Sequence, residues 1–263
     1  MNLHVWWDPP TDGPTNMAAD ELLADEAQRR GDCCLRLYGW TPTTVSLGGF
    51  QRGADAEAEP AIAGVPVVRR PSGGGAIVHG SDLTYAAAVP RVHPWGGGPQ
   101  AFYDAVHEAL CAALAGFGVE ASPWRPPATP PPAPGRDEGP FFCFDRRASG
   151  DVVVGAAASP DGRGHKVLGS AQRRLAATVL QHGSLLLARN QDVSGAASHP
   201  GLAELAPGGL APTAVPALAE RWLGLIAEGL GMRLVWEPGR FHERPGVAER
   251  ATRFADARWT FRR

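Results

Sequence analysis

Of the 25 basic residues in this 263-residue chain, twenty-four are arginine, and Lys166 is the single lysine. A sequence that uses arginine wherever a positive charge suffices keeps an ammonium where a guanidinium will not serve. The ammonium is a compact point charge on a flexible stem, with three donors for a small space and a pKa that responds to desolvation. Lys166 stands in His165-Lys166-Val167-Leu168-Gly169-Ser170-Ala171-Gln172-Arg173-Arg174, where Gly169, Ser170 and Ala171 are small enough to let backbone approach a ligand. Upstream, Arg69-Arg70-Pro71-Ser72-Gly73-Gly74-Gly75-Ala76-Ile77-Val78-His79 puts paired arginines before three glycines. Bare backbone exposes amide donors to an anion or carbonyl, and an arginine fork holds a carboxylate or phosphate. The spacing matches neither GxxxxGKS/T nor GxGxxG. Taken alone, the glycines read more simply as a tight hairpin, and His79 as a hydrogen-bonded, partly buried histidine. The third candidate is Cys143, in Phe141-Phe142-Cys143-Phe144-Asp145-Arg146. An aromatic setting raises a thiol's pKa, so a reactive cysteine there needs a cationic neighbour, and Lys166 is the candidate. Cys111 falls inside a helical apolar stripe, and Cys33 and Cys34 enter a strand; these three read as packing.

The elements that must position these groups follow from periodicity. Ala19, Leu22, Leu23 and Ala27 behind a Thr15-Asn16 start predict an amphipathic first helix. Residues 34–40 and 44–47, separated by a Thr-Pro turn, predict a hairpin, and residues 67–70 the next strand. Phe102, Val106, Ala109, Leu110 and Ala113 restore a helical period that stops near Gly116 and Gly118. Eight of the eighteen residues from Pro123 to Pro140 are proline, which predicts a loop. Residues 151–155 and 165–168 flank a Ser-Pro-Asp-Gly turn region, and residues 178–187 follow as another strand, a β-meander. Leu218, Trp222, Leu225, Ile226 and Leu230 predict a last long helix after Pro216 that ends at Gly231. The expected architecture is α+β, one layer of helices on a mostly antiparallel sheet, in a single domain over 1–263.

Composition excludes several classes. The net charge is −2, so no global positive field holds nucleic acid or an anionic membrane. No apolar run reaches the roughly 18 residues of a spanning helix, and Met1 to Pro10 lacks the basic and apolar regions of a signal peptide. The cysteines form neither a paired framework nor a metal spacing, which implies reduced thiols in the cytoplasm and no metal site.

Taken together, the glycine and lysine segments resemble the lipoate-protein ligase and octanoyltransferase superfamily. Arg69 to His79 and then Asp82-Leu83-Thr84-Tyr85 match its first signature. Lys166 to Arg173 and Leu180-Gln181-His182-Gly183-Ser184-Leu185 match its lysine motif. Asn16 to Leu23, residues 35–40 with 44–48, and Arg253 to Trp259 resemble its first helix, early hairpin and closing segment. Biotin protein ligases share the fold but carry a GRGRxxR-like loop, absent here. The resemblance implies a class II biotinyl/lipoyl protein ligase-like catalytic domain with mostly antiparallel sheets flanked by helices.

Within that superfamily, ligases make an acyl-adenylate from free lipoate and ATP, whereas transferases take octanoate from acyl carrier protein through a cysteine thioester. The segment around Cys143 resembles the one carrying the nucleophile in ligase-like octanoyltransferases. The other transferase branch places its cysteine after the lysine hairpin, where this chain has none. About thirty residues follow the last predicted helix, too few for the accessory domain of large ligases. The expected activity is therefore octanoyl transfer from octanoyl-acyl carrier protein to a lysine of a lipoyl domain, such as glycine-cleavage H protein or dehydrogenase E2. No cofactor is expected, with ATP and Mg required under the ligase alternative and a non-catalytic acyl-binding relative as a third. Cys143 and Lys166 are the expected catalytic pair. The expected substrate-binding residues are Arg69, Arg70, Ser72, Gly73, Gly74, Gly75, His79, Asp82, Gly169, Ser170, Ala171, Gln172, His182 and Gly183. Among them, His79 and His182 are orienting or proton-relay candidates, and Arg69 and Arg70 could meet an acidic partner surface or an adenylate phosphate. Carrier protein and lipoyl domain are the expected partners, with neither nucleic acid nor membrane.

Overall fold

The computed structural model describes residues 1–126, 139–155 and 164–262. Most of the proline-rich stretch and the Ser-Pro-Asp-Gly turn predicted from sequence lie outside the described residues. In chain order the elements are β1 (Asn2–Trp7), α1 (Gly13–Arg30), β2 (Cys33–Tyr38), β3 (Thr44–Leu47), α2 (Gly53–Glu57), β4 (Val67–Arg69), β5 (Ile77–His79) and β6 (Asp82–Pro90). Then come α3 (Pro94–Gly97), α4 (Pro99–Ala115), β7 (Ala121–Pro123), β8 (Val152–Val154), β9 (His165–Arg174) and β10 (Thr178–Leu186). The last are α5 (Leu202–Leu205), α6 (Val215–Gly229), β11 (Arg233–Trp236), α7 (Val247–Ala255) and α8 (Ala257–Thr260).

A large sheet runs in the order β11-β1-β2-β6-β10-β9-β8-β7, and a small one in the order β4-β3-β5. In the large sheet only β1 with β11 and β1 with β2 pair in parallel; the other neighbours are antiparallel. Both faces of this sheet are covered, which corrects the expected single helical layer. Leu35, Leu37, Tyr85, Ala87 and Val89 pack with α4 and α6, while Cys34, Tyr38, Ala86, Ala88 and Leu180 pack with α1 and α7. The physical reason is that β2, β6 and β10 are buried at every position. A half-buried strand would alternate with polar residues.

Three further expectations are corrected. Residues 34–40 and 44–47 do not form a hairpin: β2 lies in the large sheet and β3 in the small one, with a cis Thr41-Pro42 bond at the corner between them. The glycine run is not a hairpin either, because β4 and β5 flank β3 instead of pairing, and the run crosses past the end of β3. The first helix begins at Gly13 instead of Thr15-Asn16, because the Asp12 side chain accepts from the Thr15 amide as the cap. Beyond these, β1, β11 and α7 are elements that periodicity did not reveal. The β8-β9-β10 meander and the helices over 99–115 and 215–229 stand where the pattern predicts.

Candidate active site

A narrow cavity lies on the α1 face of the large sheet. Its floor is one row of directly opposed residues across four strands: Tyr38 on β2, Thr84 on β6, Ser184 on β10 and Gly169 on β9. The adjacent row adds His182 and Ala171. Helix α1 contributes Met17, the small sheet contributes Ser46, Ile77 and His79, and the glycine crossover contributes Arg70 and Gly74. The result is a narrow slot running across the strands.

Cys143 and Lys166 meet at the β9 end. The Lys166 Nζ atom is 3.7 Å from Cys143 Sγ and donates to the carbonyls of Cys143 and Arg146 at 3.3 Å each. It also pairs with Asp151 at 2.8 Å while only 6% of the residue is exposed. Asp151 is itself buried and accepts from Tyr103 Oη at 2.8 Å and the Ala148 amide at 2.7 Å. Sequence reasoning missed Asp151; its position immediately before β8 gave no local signal. Gly169 makes room for this pair, since a Cβ there would stand 2.4 Å from Lys166 Cε and 2.7 Å from Nζ. Gly169→Ala is therefore expected to push the flexible lysine off the sulfur while leaving the fold intact. A single-turnover assay of the expected acyl transfer should show it slowed about 100-fold, the scale of losing one transition-state donor, with an unchanged melting temperature.

The glycine crossover builds the opposite wall. Arg70 is fully buried, and its guanidinium donates to the carbonyls of Ser46 at 2.7 Å, Gly73 at 2.9 Å and Gly75 at 2.6 Å. It has no carboxylate partner among the described residues, and burial pushes it down to about 10. Arg70 thus clamps the loop and leaves positive potential facing the slot. Gly75 lets the loop touch the cysteine segment: Cys143 N donates to Ala76 O at 2.7 Å, Ala76 N donates to Phe141 O at 2.9 Å, and a Cβ on Gly75 would lie 2.9 Å from both Cys143 N and Phe141 O. Gly74, at φ 94°, takes a conformation that L side chains rarely adopt. Gly73 lies outside the slot wall, beside the exposed Phe50 ring. Arg69 is also outside it, buried and donating to the carbonyls of Thr260, Gly48 and Gln51. Neither arginine can meet a partner's acidic surface, because both are buried.

His79 and His182 are each bracketed by a serine and an aspartate. His79 Nδ1 donates to Asp82 Oδ2 at 2.8 Å and its Nε2 pairs with Ser46 Oγ at 2.8 Å, with Trp40 stacked on the ring at 3.9 Å. Asp82 also accepts from Thr84, Ser184 and the Gly80 amide; burial opposes its charge, yet His79 and these donors hold its pKa below the usual carboxylate range. His182 Nδ1 faces Asp20 Oδ2 at 3.2 Å, and its Nε2 pairs with Ser72 Oγ. In each case the ring bridges the carboxylate on its Nδ1 side and the serine hydroxyl on its Nε2 side. Asp20 is further tied to Arg36 at 3.1 Å and Tyr38 Oη at 2.7 Å. Asp20, Met17, Tyr38, Trp40 and Ser46 were missed as site residues. They lie in the first-helix and early-hairpin segments, whose resemblance to the superfamily was the available signal.

Ser170 faces the other side of the sheet, where its hydroxyl contacts Tyr85 Oη and His107 Nε2 at 2.7 Å each. A Cβ on Gly183 would collide with Ser170 Oγ, which explains that glycine. Gln181 links Tyr85 to Gln172, so Gln172 belongs to this network and not to the slot wall. His107 Nδ1 donates to Gly150 O at 2.8 Å. Burial pushes His107 from its ordinary 6.5 down to about 4, against the pull of the Gly150 carbonyl and Asp151. Between those values the unfolded chain takes up a proton that the fold excludes. The stability present above pH 6.5 therefore drains away as pH falls toward 4, by about 3 kcal/mol for this one group. Urea denaturation from pH 7 to 4 should show a shallower acid loss in His107→Gln than in the parent.

The other three cysteines are packing residues. Burial pushes Cys33 and Cys111 up to about 12 and Cys34 further still, so none presents a thiolate near neutral pH. Among the described residues no group of three or more His, Cys, Asp or Glu is placed to hold a metal ion, and no helix is long and apolar enough to cross a membrane.

A helix-flanked, mostly antiparallel sheet whose slot is walled by a glycine crossover and a lysine-bearing strand defines a class, the lipoyl protein ligase A/B catalytic domain. The model of that family matches residues 12–203, and the chain belongs to it. The chain is similar to Octanoyltransferase LipM of Kyrpidia tusciae, 38% identical over an alignment of 184 residues that covers 65% of this chain and 61% of that protein. The match thus spans about three-fifths of that relative. Among solved structures, T. acidophilum protein Ta0514 with bound lipoic acid has a TM-score of 0.71 at 16% identity, covering 99% of this chain and 100% of that one. A bipartite lipoate protein ligase of Thermoplasma acidophilum, described with its E2 lipoyl domain, has a TM-score of 0.67 at 16% identity, covering 99% and 95%.

Proposed function

We propose that the chain is an octanoyltransferase of protein lipoylation, moving octanoate from octanoyl-acyl carrier protein to a lysine of a lipoyl domain through a Cys143 thioester. The observation that carries this reading is the 3.7 Å approach of Lys166 Nζ to Cys143 Sγ at one end of the slot. The name of the similar LipM protein supports octanoyl transfer, and the E2 lipoyl domain described with the Thermoplasma ligase supports a lipoyl acceptor.

In the first half-reaction the Cys143 thiolate attacks the thioester carbonyl, forming a carbon–sulfur bond and an oxyanion. Lys166 faces both charges, and the field of buried Arg70 adds to it. Collapse expels the carrier's pantetheine thiolate, which leaves as the thiol after protonation. In the second half-reaction the uncharged acceptor amine attacks the octanoyl thioester, the Cys143 thiolate departs, and the amine's proton passes to solvent as the amide forms. Asp151 keeps Lys166 in place throughout. The slot would take the alkyl chain, at about 0.8 kcal/mol per buried methylene.

Intact-mass spectrometry of the protein mixed with octanoyl-acyl carrier protein tests the reading. A species heavier by one octanoyl group, discharged on adding a lipoyl domain, is the expected result. Absence of that species, with AMP formed from ATP and free lipoate instead, overturns it in favour of a ligase.

A further inference from the structure

We propose that Met17 sets the length of acyl chain the slot accepts, a specificity role that rests on the acyl-transfer reading above. The direction of the slot comes from strand register. Gly169, Ser184, Thr84 and Tyr38 are direct partners across β9, β10, β6 and β2, so this row spans three strand spacings, about 14 Å. The sulfur stands at the Gly169 end, because Lys166 Nζ contacts Cys143 Sγ and also lies over Gly169. An acyl chain on Cys143 therefore extends toward β2, and an eight-carbon chain, about 9 Å long with bonds of about 1.5 Å, crosses about two of the three strand spacings and ends near Thr84, one strand short of Tyr38.

What closes that end differs in hardness. Trp40 is fixed by its Nε1 donating to Thr84 Oγ1 at 2.8 Å and by its stack on His79. Tyr38 is fixed by its hydroxyl donating to Asp20 at 2.7 Å, with the Arg36 guanidinium 3.9 Å over its ring. Behind them Arg36 pairs with Asp8 at 2.5 Å and Asp20 at 3.1 Å, all fully buried. Lengthening the slot in that direction would disrupt a buried ion cluster, at large cost. Met17 is the exception. It lies on α1 one turn from Asp20, is 1% exposed, and presents an unbranched thioether with no polar tether to the slot. Such a side chain is an adaptable filler, and its bulk, not a hydrogen-bonded frame, stops the chain.

The test loads acyl carrier protein with hexanoyl, octanoyl, decanoyl or dodecanoyl groups and measures initial rates of acyl-enzyme formation by intact mass. Met17→Ala is expected to raise the decanoyl-to-octanoyl rate ratio about 15-fold, equivalent to about 0.8 kcal/mol for each of two methylenes. Met17→Phe is expected to move the optimum toward hexanoyl. If the alanine variant does not fold, Met17→Val carries the same sign with a smaller cavity. Folded variants, by circular dichroism, that keep the parent's ratios overturn the role of Met17 and leave the transfer reading standing. A parent protein that accepts no acyl group from any donor overturns both.

Discussion

Cys143→Ala is expected to remain folded and to form no acyl-enzyme, with transfer to a lipoyl domain reduced on the order of 10⁴-fold or more, the scale of removing a covalent nucleophile. The fold should survive because the residue's hydrogen bonds to the glycine crossover and to Lys166 include backbone ones that alanine keeps: its amide bonds Ala76 O and its carbonyl accepts from Lys166. The side chain is small and only partly buried, so truncation leaves little cavity. Intact mass after incubation with octanoyl-acyl carrier protein reads the first half-reaction, and gel-shift or mass of the lipoyl domain reads the second. Substitution of Cys111, which packs at the large core and carries a raised pKa, should leave both readouts near the parent values. Equal acylation of parent and Cys143→Ala would remove this sulfur from the chemistry.

Lys166→Arg should retain charge and fold yet lose transfer by about 10²- to 10³-fold. The ammonium is held by Asp151 at 2.8 Å and by two carbonyls at 3.3 Å, leaving its approach to sulfur at 3.7 Å over the bare Gly169 backbone. A planar fork can keep the pairing with Asp151, but it cannot point its charge into the same small volume. Lys166→Met is a less clean probe, because it strands the buried Asp151 carboxylate and is expected to cost about 3–5 kcal/mol of stability. The arginine variant separates chemistry from folding: normal urea denaturation with slow acyl-enzyme formation is the expected pair of results. Parent-like rates in Lys166→Arg would mean that any cation at this place suffices.

The segments with unusual composition were the legible ones. The glycine run, the lone lysine and the cysteine among phenylalanines mark their own positions, because few structural demands produce such patterns. The groups that hold them were hidden because they come from elsewhere in the chain. Asp20 reaches His182 from α1, Ser46 reaches His79 from β3, and Asp151 reaches Lys166 from the residue that enters β8. Each is a common residue type in an ordinary local pattern, and tertiary proximity alone gives it a partner. The same holds for the fold. The helices with strong apolar period stood out, whereas β1 and β11 are parallel partners 231 residues apart at Asn2 and Arg233, a pairing that no local window contains. The false hairpin at 34–47 arose because two apolar runs joined by a short turn suggest pairing, while the corner at Pro42 sends them into separate sheets.

Arg69 was expected at a binding surface and instead fastens the strand entering the glycine crossover to the closing helix: its guanidinium donates to Thr260 O, and Trp259 Nε1 donates to its carbonyl. The next residue along is the clamp of the slot wall. Damage to the far tail of the molecule would thus masquerade as an active-centre defect, and genetic lesions mapping to α8 would be sorted with those of the cysteine and the lysine although none of their atoms meets the acyl group.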